Sequence, residues 1–465
     1  MNLADATAFE IASAVKARKV TARAVTEAAL ARVAATHTRI NAFTAVTTSR
    51  ALAEADGVDA RLAAGRDPGP LAGAPYAVKN LFDLAGEVTV AGSKINRDLP
   101  PAAADATAVN RLQAAGAICL GALNMGEYAY DFVTDNAHDG PTRNPRDLTR
   151  SAGGSSGGSG AAVAAGLVSF SLGTDTNGSI RVPSSFCGIW GIKPTYGRLS
   201  RGGSFPFVDS LDCIGPFARS VGDLAATYDV MQGADARDHA CTARPPVSTA
   251  RTLEGGLAGL RVAVLGGYFS QGGDPQVHAA VATVAGALGV TRRVEIPEAA
   301  LARAAAFLIT SGEAGQLHLG NLKSRAADFD PGIRDRFFAG ALLPAAWYLQ
   351  AQSFRQWFQA RMREVFHDVD VLLAPATPVH ATRIGQEEMT LDGRTVLVRP
   401  NLGIFTQPIS FVGLPVVAAP VHTVGTMPVA VQLIAATWRE AELLRVARVL
   451  EKSGVCTAPV AALVA

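Results

Sequence analysis

Cysteine is scarce, and nothing in its spacing suggests pairing. The 465 residues include five, Cys119, Cys187, Cys213, Cys241 and Cys456, and no two stand as C-x-x-C. An odd, dispersed set does not describe a disulfide scaffold; it points to reduced thiols in a cytoplasmic protein. Neither sign of charge dominates, with 42 Lys and Arg against 40 Asp and Glu. Composition therefore offers no basic surface for nucleic acid. No run of about 18 apolar residues suggests a membrane span. The opening MNLADATAFEIASAV carries acids early, with no basic start before an apolar stretch, so it is expected not to be a signal peptide. None of the eight histidines falls in metal-ligand spacing. Two phosphate-binding signatures are missing as well: no G-K-[ST] follows a glycine loop, and no G-x-G-x-x-G follows a strand.

What remains is an ordinary globular balance, 49% hydrophobic and 18% charged, enough for a large core. Residues 1–65 read as helices, with Thr21 a candidate N-cap ahead of apolar residues at helical spacing. Beyond them short apolar runs alternate with helical patterns. PYAV ends in Lys79; a helix from about Asp105 stops at Gly116 before a buried strand. LRVAVLGG, VTRRVEIP, DVLLAPATP, PVVAAPV and PVAVQLIAA read as further strands, and WREAELLRVARVLEKSG as a closing helix. Such alternation predicts an α/β sheet with helices on both faces. The polar, Pro-rich stretch 235–257 reads as a surface loop within one domain rather than a boundary.

Residues 151–160, SAGGSSGGSG, have the composition of a flexible tether. They also run straight into a small-residue helix, a strand-like SFSLG and a second polar glycine turn, TDTNGS. Glycines beside a helix start let backbone N–H groups crowd a bound group. Composition alone leaves both readings open.

GGSSGGSGAAVAAGLVSFSLGTDTNGSIRVPSSFCGIWGIKPT resembles the signature of the amidase signature family. PLAGAPYAVKNLFD resembles its lysine segment, and GALNMGEYAYDFVTDNAHDGPTRNP the stretch before its serine loop. The likeness covers nearly the whole chain. It implies one large domain over 1–465, a twisted mixed sheet flanked by helices on both faces, with the helical region of about 1–65 packed on the core. It implies an amide hydrolase needing no metal or cofactor, with Lys79 as base, Ser155 as bridging serine and Ser179 as nucleophile. The peptide before Ser155 is cis in the family, consistent with Gly153-Gly154 ahead of it. The chemistry is intelligible from the residues. A serine hydroxyl is a weak nucleophile until a base takes its proton, and a lysine serves only when neutral, which burial favours. The N–H groups of Thr176, Asn177, Gly178 and Ser179 are expected to face a developing oxyanion. Asp175 and Arg181 are expected to brace this turn from behind. Ser151, Ser156 and Ser159 are read as loop hydrogen bonders, Lys193 as structural, Cys187 as a packing thiol, and His318 as a pocket candidate.

Departures from the common pattern narrow the expectation. Many members carry two glycines before the nucleophile; here the pair is Asn177-Gly178, which adds a carboxamide able to bind substrate. DTNGSIRVP, VAGSKINRD and PAAWYLQAQSFRQWF resemble the branch that hydrolyses 1-carboxybiuret in s-triazine breakdown beside a small helical partner subunit. Two other activities remain open: a general small-amide amidase, and the glutamine-hydrolysing A subunit of the tRNA-dependent amidotransferase. In the latter an aspartate upstream of an IFT-like segment holds the glutamine ammonium; here Gly403 stands in that place. Arg336, in GIRDRFFAG, matches the basic residue that holds a substrate carboxylate. A cation without the aspartate suits an anionic, non-zwitterionic amide. A catalytically silent scaffold is the alternative of a different class, and a covalent serine probe would separate it from the enzymes.

Overall fold

The computed structural model describes residues 3–463. Its centre is an eleven-stranded sheet. In chain order the strands are β1 (Phe43–Val46), β2 (Pro75–Lys79), β3 (Ile118–Leu123), β4 (Phe170–Asp175), β5 (Trp190–Lys193), β6 (Cys213–Ala218), β7 (Val262–Leu265), β8 (Arg293–Val294), β9 (Val371–Pro375), β10 (Val416–Val421) and β11 (Val429–Ala435). Across the sheet they run β1-β3-β2-β4-β6-β5-β10-β11-β9-β7-β8. The sheet is mixed: β3/β2, β2/β4, β9/β7 and β7/β8 pair parallel, the other neighbours antiparallel.

The central strands are largely apolar because both of their faces are covered. Tyr76 and Val78 of β2 point into one core with Trp190, Leu224 and Leu443, while Ala77 between them joins a second core with Val25, Val33 and Ala161. This alternation is the strand period of two, applied to a sheet with helices on each side. The closing helix Glu440–Lys452 buries Leu443, Leu444, Val446, Ala447 and Leu450 against the first core.

Two expectations need correction. Residues 1–65 are not all helical: Asn41 takes a left-handed conformation (φ 55°) that ends the helix Ala22–Ile40, and β1 follows it as an edge strand on β3. VTRRVEIP contributes only the two residues of β8, at the opposite edge. Thr21 does cap its helix, its side chain accepting from the Ala24 N–H. Residues 235–257 form turns and extended chain without helix or strand.

The Gly/Ser segment is no tether. Ser151–Gly160 is buried throughout, and the helix Gly157–Ala164 packs all its residues inside. The glycines serve close approach: a Cβ on Gly158 would lie 2.5 Å from the Asn124 carbonyl oxygen and 2.6 Å from that of Ala42. This rigid backbone lies directly under β2 and β4 and carries Ser155 to the ends of those strands.

Candidate active site

Lys79 ends β2, and β2 pairs in parallel with β4, Val78 opposite Leu172. That register sets the lysine beside Thr174. Its Nζ donates to Thr174 Oγ1 at 2.7 Å and to Ser155 Oγ at 2.7 Å. The peptide bond Gly154–Ser155 is cis. Lys79 is fully buried. Burial pushes its ammonium down to about 7, against the opposing pull of Asp212 and Asp175. A neutral amine is therefore well populated near neutral pH, within proton-transfer reach of a serine hydroxyl.

After β4 the chain turns through Thr176–Ser179 into the helix Arg181–Cys187. Asp175 closes the turn: its carboxylate accepts from the Ile180 N–H at 3.1 Å and the Arg181 N–H at 3.3 Å. Arg181 returns the contact, with Nε 2.9 Å and Nη2 2.8 Å from the same carboxylate, both side chains fully buried. Nη1 reaches the Thr406 carbonyl and Gln432 Oε1, and Nη2 also reaches Ser410 Oγ. Every guanidinium donor is used, which is what a buried arginine requires. Burial alone would raise Asp175, but the Arg181 charge and hydrogen bonds bring it below the ordinary carboxylate value. Gly178 has φ +141°, and a Cβ there would stand 2.4 Å from Thr406 Oγ1. The nucleophile turn thus tolerates only glycine at this position. Among the described residues, the backbone N–H groups of Thr176, Asn177, Gly178 and Ser179 have no acceptor.

Ser179, Asn177 and Thr176 line a cavity whose walls include Phe132, Phe207, Thr310 and Arg336. Lys79 and Ser155 lie outside that lining. Arg336 is half-buried on the helix Pro331–Ala341. Its Nη1 lies 3.4 Å from the Tyr130 carbonyl, with the guanidinium carbon 5.6 Å from the Tyr130 ring centre. Neighbouring Asp335 pairs with Arg334 instead, at 3.2 Å. No carboxylate within salt-bridge distance of Arg336 is found among the described residues. The helix is fixed at its start by Asp330, which accepts from the Gly332 N–H at 2.8 Å and from the Ala137 N–H at 3.1 Å. The Asp330 N–H in turn donates to Glu127 at 2.6 Å. The same loop that supplies Tyr130 and Phe132 thus aims Arg336. Gly403 faces the Phe132 ring so closely that a Cβ would meet Cζ at 2.6 Å.

Several supporting residues carry no sequence signal. Asp212 accepts from Thr176 Oγ1 at 2.6 Å and from the N–H groups of Phe207 and Val208; burial raises its pKa. Thr406 Oγ1 donates to the Asn177 carbonyl at 2.6 Å, and Thr310 Oγ1 accepts from Asn177 Nδ2 at 2.8 Å. The loop serines are placed as read: Ser151 on the Val133 carbonyl, Ser156 on that of Thr174, Ser159 on that of Leu172. Lys193 Nζ is held by the Pro194 carbonyl at 2.9 Å. Cys187 is a buried thiol pushed up to about 12 by burial. His318 is a correction: it is not part of the cavity lining. Its ring lies 4.0 Å from Tyr128 and 4.9 Å from Phe337, and burial lowers it to about 4. An apolar aromatic cluster took the polar residue in.

A buried lysine hydrogen-bonded to a serine of a glycine loop, beneath a braced serine turn on a large mixed sheet, is the arrangement of an amide hydrolase. The amidase family's profile matches residues 24–444, and the chain belongs to that family. It is 54% identical over 448 residues to the 1-carboxybiuret hydrolase AtzE subunit of Pseudomonas sp. (strain ADP), covering 96% of this chain and 98% of that one. It is also 38% identical to the glutamyl-tRNA(Gln) amidotransferase A subunit of Roseiflexus sp. (strain RS-1), over 92% of each chain. Among solved structures, an s-triazine catabolic enzyme described in a vestigial protein complex superposes with a TM-score of 0.96 at 53% identity, over 97% of this chain and 100% of that one. The 6-aminohexanoate cyclic dimer hydrolase with substrate superposes at 0.87 and 29% identity, over 97% of this chain and 98% of that one. No helix among the described residues is long and apolar enough to cross a membrane.

Proposed function

We propose that the chain hydrolyses the terminal amide of 1-carboxybiuret, releasing ammonia, with Ser179, Ser155 and Lys79 as its catalytic residues. Ser179 Oγ attacks the carbonyl carbon. Its proton passes to Ser155 Oγ as the Ser155 proton passes to neutral Lys79 Nζ. The carbonyl electrons move onto oxygen, facing the N–H groups of Thr176, Asn177, Gly178 and Ser179. Collapse breaks the C–N bond, and the proton returns through Ser155 to the leaving nitrogen. Water repeats the cycle on the acyl-serine. The observation that carries the reading is Lys79 Nζ, buried, lowered to about 7 and 2.7 Å from Ser155 Oγ. Asp175 and Arg181 position the turn without touching substrate.

Arg336 supports an anionic substrate, since no carboxylate neutralises it and it faces the cavity beside Ser179. A glutamine ammonium would need a carboxylate partner. Residue 403 has no room for one, because Phe132 fills the space where its side chain would begin. A guanidinium binds a carboxylate through two parallel charge-assisted bonds, and lysine keeps the charge without the fork. Arg336→Lys is expected to lower kcat/KM on an anionic amide roughly tenfold and Arg336→Ala about a hundredfold. A small neutral amide should change by less than about threefold in the same measurement. Equal losses on both substrates would remove Arg336 from binding.

We also propose a small helical partner and a cytoplasmic setting. The relative described in a complex supports the first. So do Leu342, Trp347 and Leu349, which are 81%, 54% and 63% exposed around one helix junction. The five unpaired cysteines suit the second. Affinity purification of the chain co-expressed with its genomic neighbours is expected to yield a heteromeric complex; a fully active lone chain from the native host would contradict it.

A further inference from the structure

Asn177 is 6% exposed, and the two ends of its side chain differ. Nδ2 donates to Thr310 Oγ1 at 2.8 Å, whereas the buried Oδ1 has no hydrogen-bond partner among the described residues. A buried acceptor left unpaired is costly, and this one belongs to a residue lining the cavity two positions before Ser179. Thr310 lies on the helix Ala299–Leu317 and Arg336 on Pro331–Ala341. These helices touch through glycine: a Cβ on Gly340 would lie 1.8 Å from the Ser311 carbonyl oxygen. The locked carboxamide and the guanidinium without a carboxylate partner therefore belong to one wall. A substrate that rests a carboxylate on Arg336 and presents a carbonyl to Ser179 runs its linking atoms along that wall.

We propose that Asn177, oriented by Thr310, accepts a hydrogen bond from a linking N–H on the acyl side of the scissile carbonyl. The site thereby selects ureido and biuret-type amides over carbon-linked carboxamides. Asn177 is the specificity-determining residue and Thr310 its positioning residue. The inference rests on the amide-hydrolase reading of this cavity and adds which atoms beside the carbonyl are read. A hydrogen-bonding site discriminates strongly against an analogue lacking the donor, because the acceptor is then buried without a partner.

Biuret and malonamide make the test. They are near-isosteric and neutral, and differ where the bridging N–H of one is CH2 in the other. Neutrality takes Arg336 out of the comparison. Dissociation constants for both are measured by calorimetry on the full chain carrying Ser179→Ala, so that neither compound is consumed. Biuret is expected to bind at least about tenfold tighter. With Thr310→Val added, which frees the carboxamide to rotate, the ratio should fall toward one; with Thr310→Ser it should be restored. Asn177→Ala should likewise bring the biuret-to-malonamide ratio toward one. A ratio near one with Asn177 and Thr310 intact, or no binding of either compound, overturns the inference. So does equal weakening of both ligands by Thr310→Val, which is what a merely structural role would give. Hydrolysis of an anionic amide by the parent enzyme alongside a ratio near one would sink this inference and leave the proposed function standing.

Discussion

Ser179→Ala is expected to lower kcat by at least about a thousandfold while the protein stays folded. Removing the nucleophile from a unit of cooperating residues costs nearly the whole of what that unit supplies. The fold should be spared because the turn depends on other groups. Asp175 and Arg181 hold it through the buried pair at 2.8 Å, Thr406 holds the Asn177 carbonyl, and Gly178 supplies the φ of +141°. The lost hydroxyl is one polar group at a cavity wall, a change of about 1 kcal/mol or less. Activity is read by ammonia release and folding by the thermal midpoint. A serine-directed phosphonate probe should label the parent enzyme and not the variant. Near-native turnover in Ser179→Ala would sink the assignment, and failure of the parent enzyme to label would favour the silent-scaffold alternative.

The parts of this site that are legible in sequence are those whose backbone leaves no choice of residue. A Cβ on Gly158 would stand 2.5 Å from a carbonyl oxygen, and Gly178 must pass a threonine hydroxyl at positive φ. Such positions make a contiguous, recognisable string. Lys79, Ser155 and Ser179 are picked out through the resemblance of such strings to the segments of the amidase signature family, since composition alone leaves the Gly/Ser stretch open. Asp212, Thr310, Thr406 and Gln432 belong to no recognisable string and are brought to the turn only by the tertiary fold. No local spacing announces them. Phe132 and Gly403 are harder still, since each explains the other only in space. His318 shows the opposite failure, a residue of suggestive type in a setting that gives it nothing to do with the cavity.

The fold follows the same logic. Strands covered on both faces that form unbroken apolar runs are readable, as in Val371–Pro375 and Val416–Val421. The edge strands Phe43–Val46 and Arg293–Val294 are short and half-open, so their patterns are too brief to stand out. The sheet order is set by long-range pairing, such as Val416 against Lys193, and no run of residues encodes it alone.

Lys79→Met is expected to lower kcat by several orders of magnitude, because no other described group is placed to take the Ser155 proton. Its pH behaviour separates a lysine that acts as a base from one that only holds the serine loop in place. Burial brings Lys79 down to about 7. Below that pH the neutral fraction falls tenfold per unit, so kcat/KM of the parent enzyme should drop with unit slope toward acid. A flat profile down to pH 5 would count against the base. Stability supplies a second, independent reading. In the unfolded chain this lysine titrates near 10.5, and in the folded protein near 7. Between those values the unfolded state binds the extra proton, so folding becomes more favourable as pH rises through the window. Below about 7 both states are charged, and the folded protein carries the full cost of burying the ammonium. Methionine removes that cost at every pH. It also leaves the Ser155 and Thr174 hydroxyls without Nζ, a penalty that does not vary with pH. The thermal midpoint of Lys79→Met, relative to the parent enzyme, should therefore be highest near pH 7 and decline steadily toward pH 10. A difference independent of pH would mean that Lys79 does not titrate below its ordinary value and is charged in the resting enzyme, and the relay through Ser155 would lose its base.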